Sequence, residues 1–310
     1  MNYRKIHFAV LFLVLMFSAA LPLAAGGSQE KAVQAVSETR YYQDSYNRSV
    51  EIPTKLNRII SLGPNMTEII FSLDKGELLV GRTDYCDYPQ EVSQIRSVGT
   101  IIDPNIETVI DLEPDLVIGS THTPKEVLDR IEKAGIPTVG VYTDETFEGI
   151  YTTIEDTGYI LGADAAAERI IDQMQSLVEK IKKRVALQPK PTVYYVVGFG
   201  EWGDFTAGGN TFINDIIETA GGINIAQDVK GWSYSLEKII ENDPDIIICS
   251  KYWDTPELLA AAPGYKDLRA VKTGSLYSID NNMIDRQGTR NAQGMLVLAK
   301  IFHPEQFKDH

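Results

Sequence analysis

The residue types that could do chemistry in this chain are spaced for contact rather than for reaction. Gly198-Phe199-Gly200-Glu201-Trp202-Gly203 spells a G-x-G-x-x-G loop after the apolar pair Val196-Val197. Such a loop holds a dinucleotide when a helix opens directly on it and offers its N-terminus to the pyrophosphate. Here Glu201 and Asp204 would set two negative charges beside that group, and Phe205 to Asn210 continues as loop. The motif therefore reads as a turn that presents Trp202 and Phe205. Of the four histidines, His7 lies in the first apolar stretch, His122 stands alone, and His303 and His310 sit at the tail. None of them pairs at metal-ligand spacing, and no G-x-S-x-G nucleophile or catalytic cysteine setting occurs. Acidic pairs such as Asp84 and Asp87 are ordinary surface groups in so acidic a chain. No catalytic residue, metal or cofactor is assigned, and an exported nucleotide-dependent enzyme would lack its catalytic set.

What remains is aromatic and acidic. Tyr85 and Tyr88 follow one apolar run, Trp202 and Phe205 another; Trp232 and Tyr234 precede a short helical segment, and Tyr252 and Trp253 follow the run after it. Open α/β sheets bind ligands at the carboxyl ends of their strands, where these rings are expected. Facing aromatic loops suit a flat or bulky molecule held by contact area. Glu107 and Glu237 form the sharpest pair. The stretch Asn105 to Ile118 aligns without a gap on Ser235 to Ile248, a constant shift of 130 positions. Each copy reads as a short helix, a Pro-Asp turn and a buried strand, with a glutamate near the helix start. That position favours the helix dipole, and two such glutamates on a two-lobed frame also suit docking onto paired basic groups of a dimeric partner.

The elements that must position these groups alternate. Ile59-Ile60-Ser61-Leu62, Leu78 to Gly81, Leu116 to Gly119 and Thr138 to Val141 are short apolar runs between helical patterns, the mark of parallel strands buried on both faces. After Asp164 the pattern changes: Ile170, Ile171, Met174, Leu177, Val178, Ile181 and Val185 fall at helical spacing up to Leu187, with basic residues at the end. Alternation then resumes with Thr192 to Val197, a helix over Phe212 to Thr219, Ile246 to Cys249 and Leu276 to Ile279. The expected organisation is a signal peptide over 1–26 and a leader with a β-hairpin over 27–57. An N-terminal lobe over 58–163, a connecting helix over 164–187 and a C-terminal lobe over 188–310 follow. The fold class is α/β: two pseudo-equivalent three-layer lobes with mostly parallel central sheets, joined by one long α-helix.

Arg4 and Lys5, the apolar run Phe8 to Phe17 and the small residues through Gly27 form a secretory signal, too short to span a membrane comfortably. Gly27 stands where a lipoprotein would carry its lipidated cysteine, so a soluble periplasmic or secreted protein without a lipid anchor is expected. Removing residues 1–26 takes away two basic residues and no acidic one, which carries the net charge from −14 to −16. Such a chain repels nucleic acid. The two cysteines, Cys86 and Cys249, are expected as separate, partly buried thiols, with a disulfide between them as the alternative.

Arg58 to Glu68 (RIISLGPNMTE) resembles the first strand and helix of the cobalamin and ferric-siderophore binding proteins of ABC importers. Gly81 to Pro89 (GRTDYCDYP) is similar to the cobalamin-binding branch in particular. Asn105 to Ile118, Trp232 to Glu237 and Asp285 to Arg290 continue the likeness toward the C-terminus. The resemblance implies a monomer that captures a bulky small molecule between its lobes and delivers it to a permease dimer. It implies Tyr85, Phe205 and Trp232 as ligand-lining aromatics, Asn65, Asn282 and Arg286 as further pocket positions, and Glu107 and Glu237 as permease contacts. Thr100 stands where a pocket tryptophan is expected and Asn282 where an aspartate is; Trp202 is the candidate to replace the lost ring. The ligand implied is cobalamin, with a ferric siderophore or haem as the alternative. The only evident cations for an anionic chelate are Arg82, Arg286 and Arg290.

Overall fold

The structure, a computed structural model, describes residues 39–201 and 203–308. The expected signal peptide, the leader up to residue 38 and the side chain of Trp202 lie outside the described residues.

The chain enters through an antiparallel hairpin, β1 (Thr39–Gln43) and β2 (Ser49–Pro53). Its turn is built on Asp44, whose carboxylate accepts from the backbone of Tyr46 and Arg48 at 3.0 and 2.9 Å. The same carboxylate accepts from Arg48 Nη2 at 2.7 Å and from the Gly140 amide at 3.2 Å, pinning the turn to the first lobe. Buried, Asp44 would be expected to hold its proton, but the bonds from Arg48 and Gly140 outweigh burial and set its pKa below the usual carboxylate value.

The first lobe is an all-parallel sheet of β3 (Ile59–Leu62), β4 (Leu79–Arg82), β5 (Arg96–Ser97), β6 (Leu116–Gly119) and β7 (Thr138–Gly140). Its strand order is β5-β4-β3-β6-β7. The second lobe orders β8 (Thr192–Tyr195), β9 (Ile223–Asn224), β10 (Ile246–Ser250) and β11 (Leu276–Ile279) as β11-β10-β8-β9, again all parallel. β3, β6 and β7 are buried at every position, which is why they read as continuous apolar runs rather than alternating ones. The order in which successive strands are added reverses once in each sheet, between β3 and β6 and between β8 and β10. Such switch points leave a crevice at the carboxyl ends of the strands.

The internal repeat persists in atomic detail. Asn105 and Ser235 cap the helices Ile106–Asp111 and Leu236–Asn242 by accepting from the amides of Thr108 and Lys238. Each helix is followed by a residue in the left-handed region, Glu113 at φ 44° and Asp243 at φ 37°. Asp115 then accepts from the amides of Asn57 and Arg58 at 2.7 and 2.9 Å, tying the next strand to the start of β3. Its counterpart Asp245 accepts from Thr192 N and Oγ1, both at 2.8 Å, at the start of β8.

The lobes are joined by the helix Asp164–Val185, about 33 Å long at 1.5 Å per residue. Asp164 is its first helical residue rather than its cap, which is Ala163, so the carboxylate acts through the helix dipole alone. Met174, Val178, Ile181 and Val185 are buried along one stripe. They belong to a core that runs unbroken from Ile59 and Ile118 in the first lobe to Ile248 and Phe302 in the second. A shared core of this kind resists hinge opening, because separating the lobes would expose it. Cys86 and Cys249 are both free and buried, one in each lobe, and burial pushes the Cys249 thiol up to about 11. Among the described residues no helix is long and apolar enough to cross a membrane.

Candidate functional site between the lobes

The loops at the first switch point form one wall of an interlobe cleft. Pro64 and Asn65 follow β3, and Ser120, Thr121 and His122 follow β6; all five line a cavity of about 170 Å3. Gly63 allows these loops to touch, since a Cβ there would lie 2.2 Å from Ser120 Oγ. Ile101 and Glu145 complete the first-lobe side. The second lobe contributes Phe212, Trp232 and the turn Asp285-Arg286-Gln287. A drug-sized pocket encloses roughly 300–1,000 Å3. A cavity of this size has room for only an edge of a large molecule.

Behind the cavity the lobes are locked by ions. Glu68, 2% exposed, accepts from Arg286 Nη1, Arg290 Nε and Arg290 Nη2, each at 2.7 Å. Arg286 Nη1 also reaches Asp87 Oδ1 at 2.6 Å and its Nη2 reaches the Tyr85 carbonyl at 3.3 Å. Burial opposes the Arg286 charge, but bonds to Asp87 and Glu68 more than offset it and raise its pKa. Arg290 lies 4.1 Å from the Tyr88 ring centroid. Thr121 Oγ1 donates to Gln287 Oε1 at 3.2 Å, while Gln287 Nε2 is buried without a partner among the described residues. Arg82 Nη1 donates to the carbonyls of Thr83 and Asp84. Arg286 and Arg290 are thus paired with Glu68, whereas Arg82 makes no ion pair among the described residues and its Nε is buried without a partner.

Asp285 opens onto the cleft but is deeply surrounded by protein on its other side. Burial raises its pKa, against bonds from Tyr195 Oη and Asn281 Nδ2, both at 2.6 Å. Glu145 is the second carboxyl group on the cavity wall, which also carries Arg286. Among the described residues no group of three or more His, Cys, Asp or Glu could hold a metal ion.

The structure brings together Asn65, Trp232 and Arg286 on the cavity wall. Tyr85 is 66% exposed and stands outside the cavity, joined to it only through its carbonyl on Arg286. Phe205 does not line the cavity either; its backbone bridges Gly198 and Ser233, and the next amide, Thr206, donates to the Trp232 carbonyl at 2.8 Å. This segment positions the tryptophan through its backbone. Asn282 starts the short helix Asn282–Asp285, and the end of that helix, not its start, reaches the cavity. Thr100 accepts from Asp103 N, and the neighbouring Ile101 supplies the apolar contact at that rim. The glycine motif closes as a turn through Phe205 N to Gly198 O at 2.8 Å, and the next helix begins only at Phe212. Its amides therefore face no helix N-terminus. Glu107 and Glu237 are both exposed, each the second residue of its helix.

Sequence reasoning missed Ser120, Thr121, His122 and Gln287, and also Glu68. The position of 120–122 just past a buried central strand was a usable signal. So was a lone glutamate inside the apolar helix Pro64–Ser72, since a buried carboxylate requires a cation.

Residues 59–283 match the family model described as Periplasmic binding protein. An uncharacterized ABC transporter substrate-binding lipoprotein of Bacillus subtilis (strain 168) is 28% identical over 94% of this chain and 96% of its own length. A cobalamin-binding protein of Halobacterium salinarum is 29% identical over 84% of this chain and 73% of its own. The solved periplasmic heme-binding protein RhuT of Roseiflexus sp. RS-1, in apo form, superposes with a TM-score of 0.74 at 26% identity. That match covers 81% of this chain and all of the other.

Proposed function

Because the chain belongs to the periplasmic binding protein family, whose members bind substrates rather than transform them, we propose that it captures a cobalamin-type corrinoid in the interlobe cleft. It then delivers that cargo to the permease dimer of an ABC importer. The observation that carries the ligand choice is that Arg286, the arginine on the cavity wall, is spent with Arg290 on the buried Glu68. A carboxylate-rich chelate entering beside Glu145 would be repelled, whereas a corrinoid presents neutral side-chain amides around a broad ring. The unpartnered Gln287 Nε2 suits an amide carbonyl of that periphery, and Trp232, Phe212 and Ile101 suit its apolar edge. The name of the Halobacterium relative supports the same choice.

Haem is the second reading. It is favoured by His122 on the cavity wall, a nitrogen donor for a ring-bound iron, and by the likeness to a haem-binding structure. We place the protein outside the cytoplasm without a lipid anchor on the strength of Gly27, although the Bacillus relative is named a lipoprotein.

Deleting the gene in the source organism and measuring radiolabelled cyanocobalamin accumulation at limiting supply tests the reading. Loss of uptake that the intact gene restores supports it; undiminished uptake contradicts it.

A further inference from the structure

The repeated helices carry more than a glutamate each. Glu107, Ile110 and Asp111 are all exposed on the helix Ile106–Asp111, and Glu237, Ile240 and Glu241 are all exposed on Leu236–Asn242. The two triplets correspond at the repeat shift of 130 positions. Spacing of i, i+3 and i+4 puts each triplet on one helix face. The opposite face is anchored by buried Val109 and Ile239. Ile110 is 45% exposed and Ile240 48%, nearly equal values at equivalent places. A scattered exposed isoleucine needs no explanation. Two at pseudo-symmetric positions, each between two carboxylates that make no ion pair among the described residues, are different.

We infer that Ile110 and Ile240 are paired apolar anchors, framed by Glu107, Asp111, Glu237 and Glu241, that seat the protein on two equivalent sockets of a dimeric permease. This rests on the transport reading above and adds to it which residues supply the affinity of docking. The partner's chemistry follows: each socket presents an apolar depression ringed by basic groups. In such contacts exposed charges steer and register, while an enclosed apolar group slows dissociation. Ile101 and Trp232, which line the cavity, precede the two helices by five and four residues, so each helix is joined directly to the cavity wall. The one basic residue on these helices, Lys238, is held over the Tyr234 ring at 5.7 Å and leaves the acidic face unopposed.

The test uses right-side-out membrane vesicles from the source organism and fluorescently labelled wild-type protein, competed with unlabelled variants. Ile110→Ala and Ile240→Ala are each expected to need about fivefold more competitor, and the double variant about 25-fold, since the sites are separate. The loss should persist as salt is raised, whereas the loss caused by Glu107→Lys with Glu237→Lys should be the one that salt modifies. Ligand titration and thermal unfolding of the isoleucine variants should match wild type. A double isoleucine variant that competes as well as wild type, while the glutamate variant does not, overturns the anchor assignment alone. An effect from only one isoleucine overturns the paired arrangement. Full competition by the glutamate variant overturns the docking reading itself.

Discussion

Trp232→Ala removes the largest apolar surface on the cavity wall, and its cost can be worked from exposure. The side chain is 36% exposed without ligand. A tryptophan presents up to roughly 250 Å2, so about 90 Å2 remains for a ligand to cover. At about 25 cal/mol per Å2 that contact is worth about 2 kcal/mol, or about 30-fold in Kd. The backbone of the segment should be unaffected, because Trp232 accepts from Thr206 through its main-chain carbonyl. Calorimetric titration of both proteins with cyanocobalamin measures the difference, and thermal unfolding separates it from a loss of folded protein. Trp232→Phe should recover most of the affinity. An alanine variant that unfolds like wild type and binds within twofold of it would refute the placement of the ligand against this ring.

Glu68→Gln leaves Arg286 and Arg290 without their shared buried carboxylate, although Asp87 and Asp280 remain near. A loss of about 3 kcal/mol, or about 6 °C in Tm for a unit of this size, is expected in calorimetric unfolding; an unchanged Tm would deny the lock its structural role. Asp44→Asn tests the hairpin clamp through pH. The folded-state pKa of Asp44 is depressed, so its contribution is full above the unfolded value near ~3.9 and is lost as pH falls through the folded value. Wild type and variant should therefore differ in stability at neutral pH and converge under acid, and a difference that grows toward low pH would reverse the argument. Gln287→Leu removes the unpartnered donor and should weaken cyanocobalamin binding by about 1 kcal/mol, roughly fivefold. Unchanged or tighter binding would show that no ligand acceptor reaches it.

The strands β3, β6, β7 and β10 were legible because burial on both faces leaves an uninterrupted apolar run. The two-residue strands β5 and β9 were not, since two residues carry no period. The 130-position repeat announced two related lobes, and its caps and Pro-Asp turns recur in three dimensions because each performs the same local bonding. The cleft was legible only in outline. Aromatics after strand ends indicated the right edge of the sheets, but whether a ring faces the cavity depends on the loop's path: Trp232 lines it, while Phe205 supports from behind. Glu68 meets its arginines across 218 and 222 positions, a separation at which spacing carries no signal.

Calorimetric titration of the purified protein with cyanocobalamin, with haem and a ferric hydroxamate run in parallel, tests the central claim most directly. Tight one-to-one binding of the corrinoid and none of the ferric hydroxamate is expected, because Arg286 and Arg290 are already paired with Glu68. Binding of the iron chelate or haem without binding of cobalamin would contradict it, and would require Arg286 or Arg290 to leave Glu68 for the ligand.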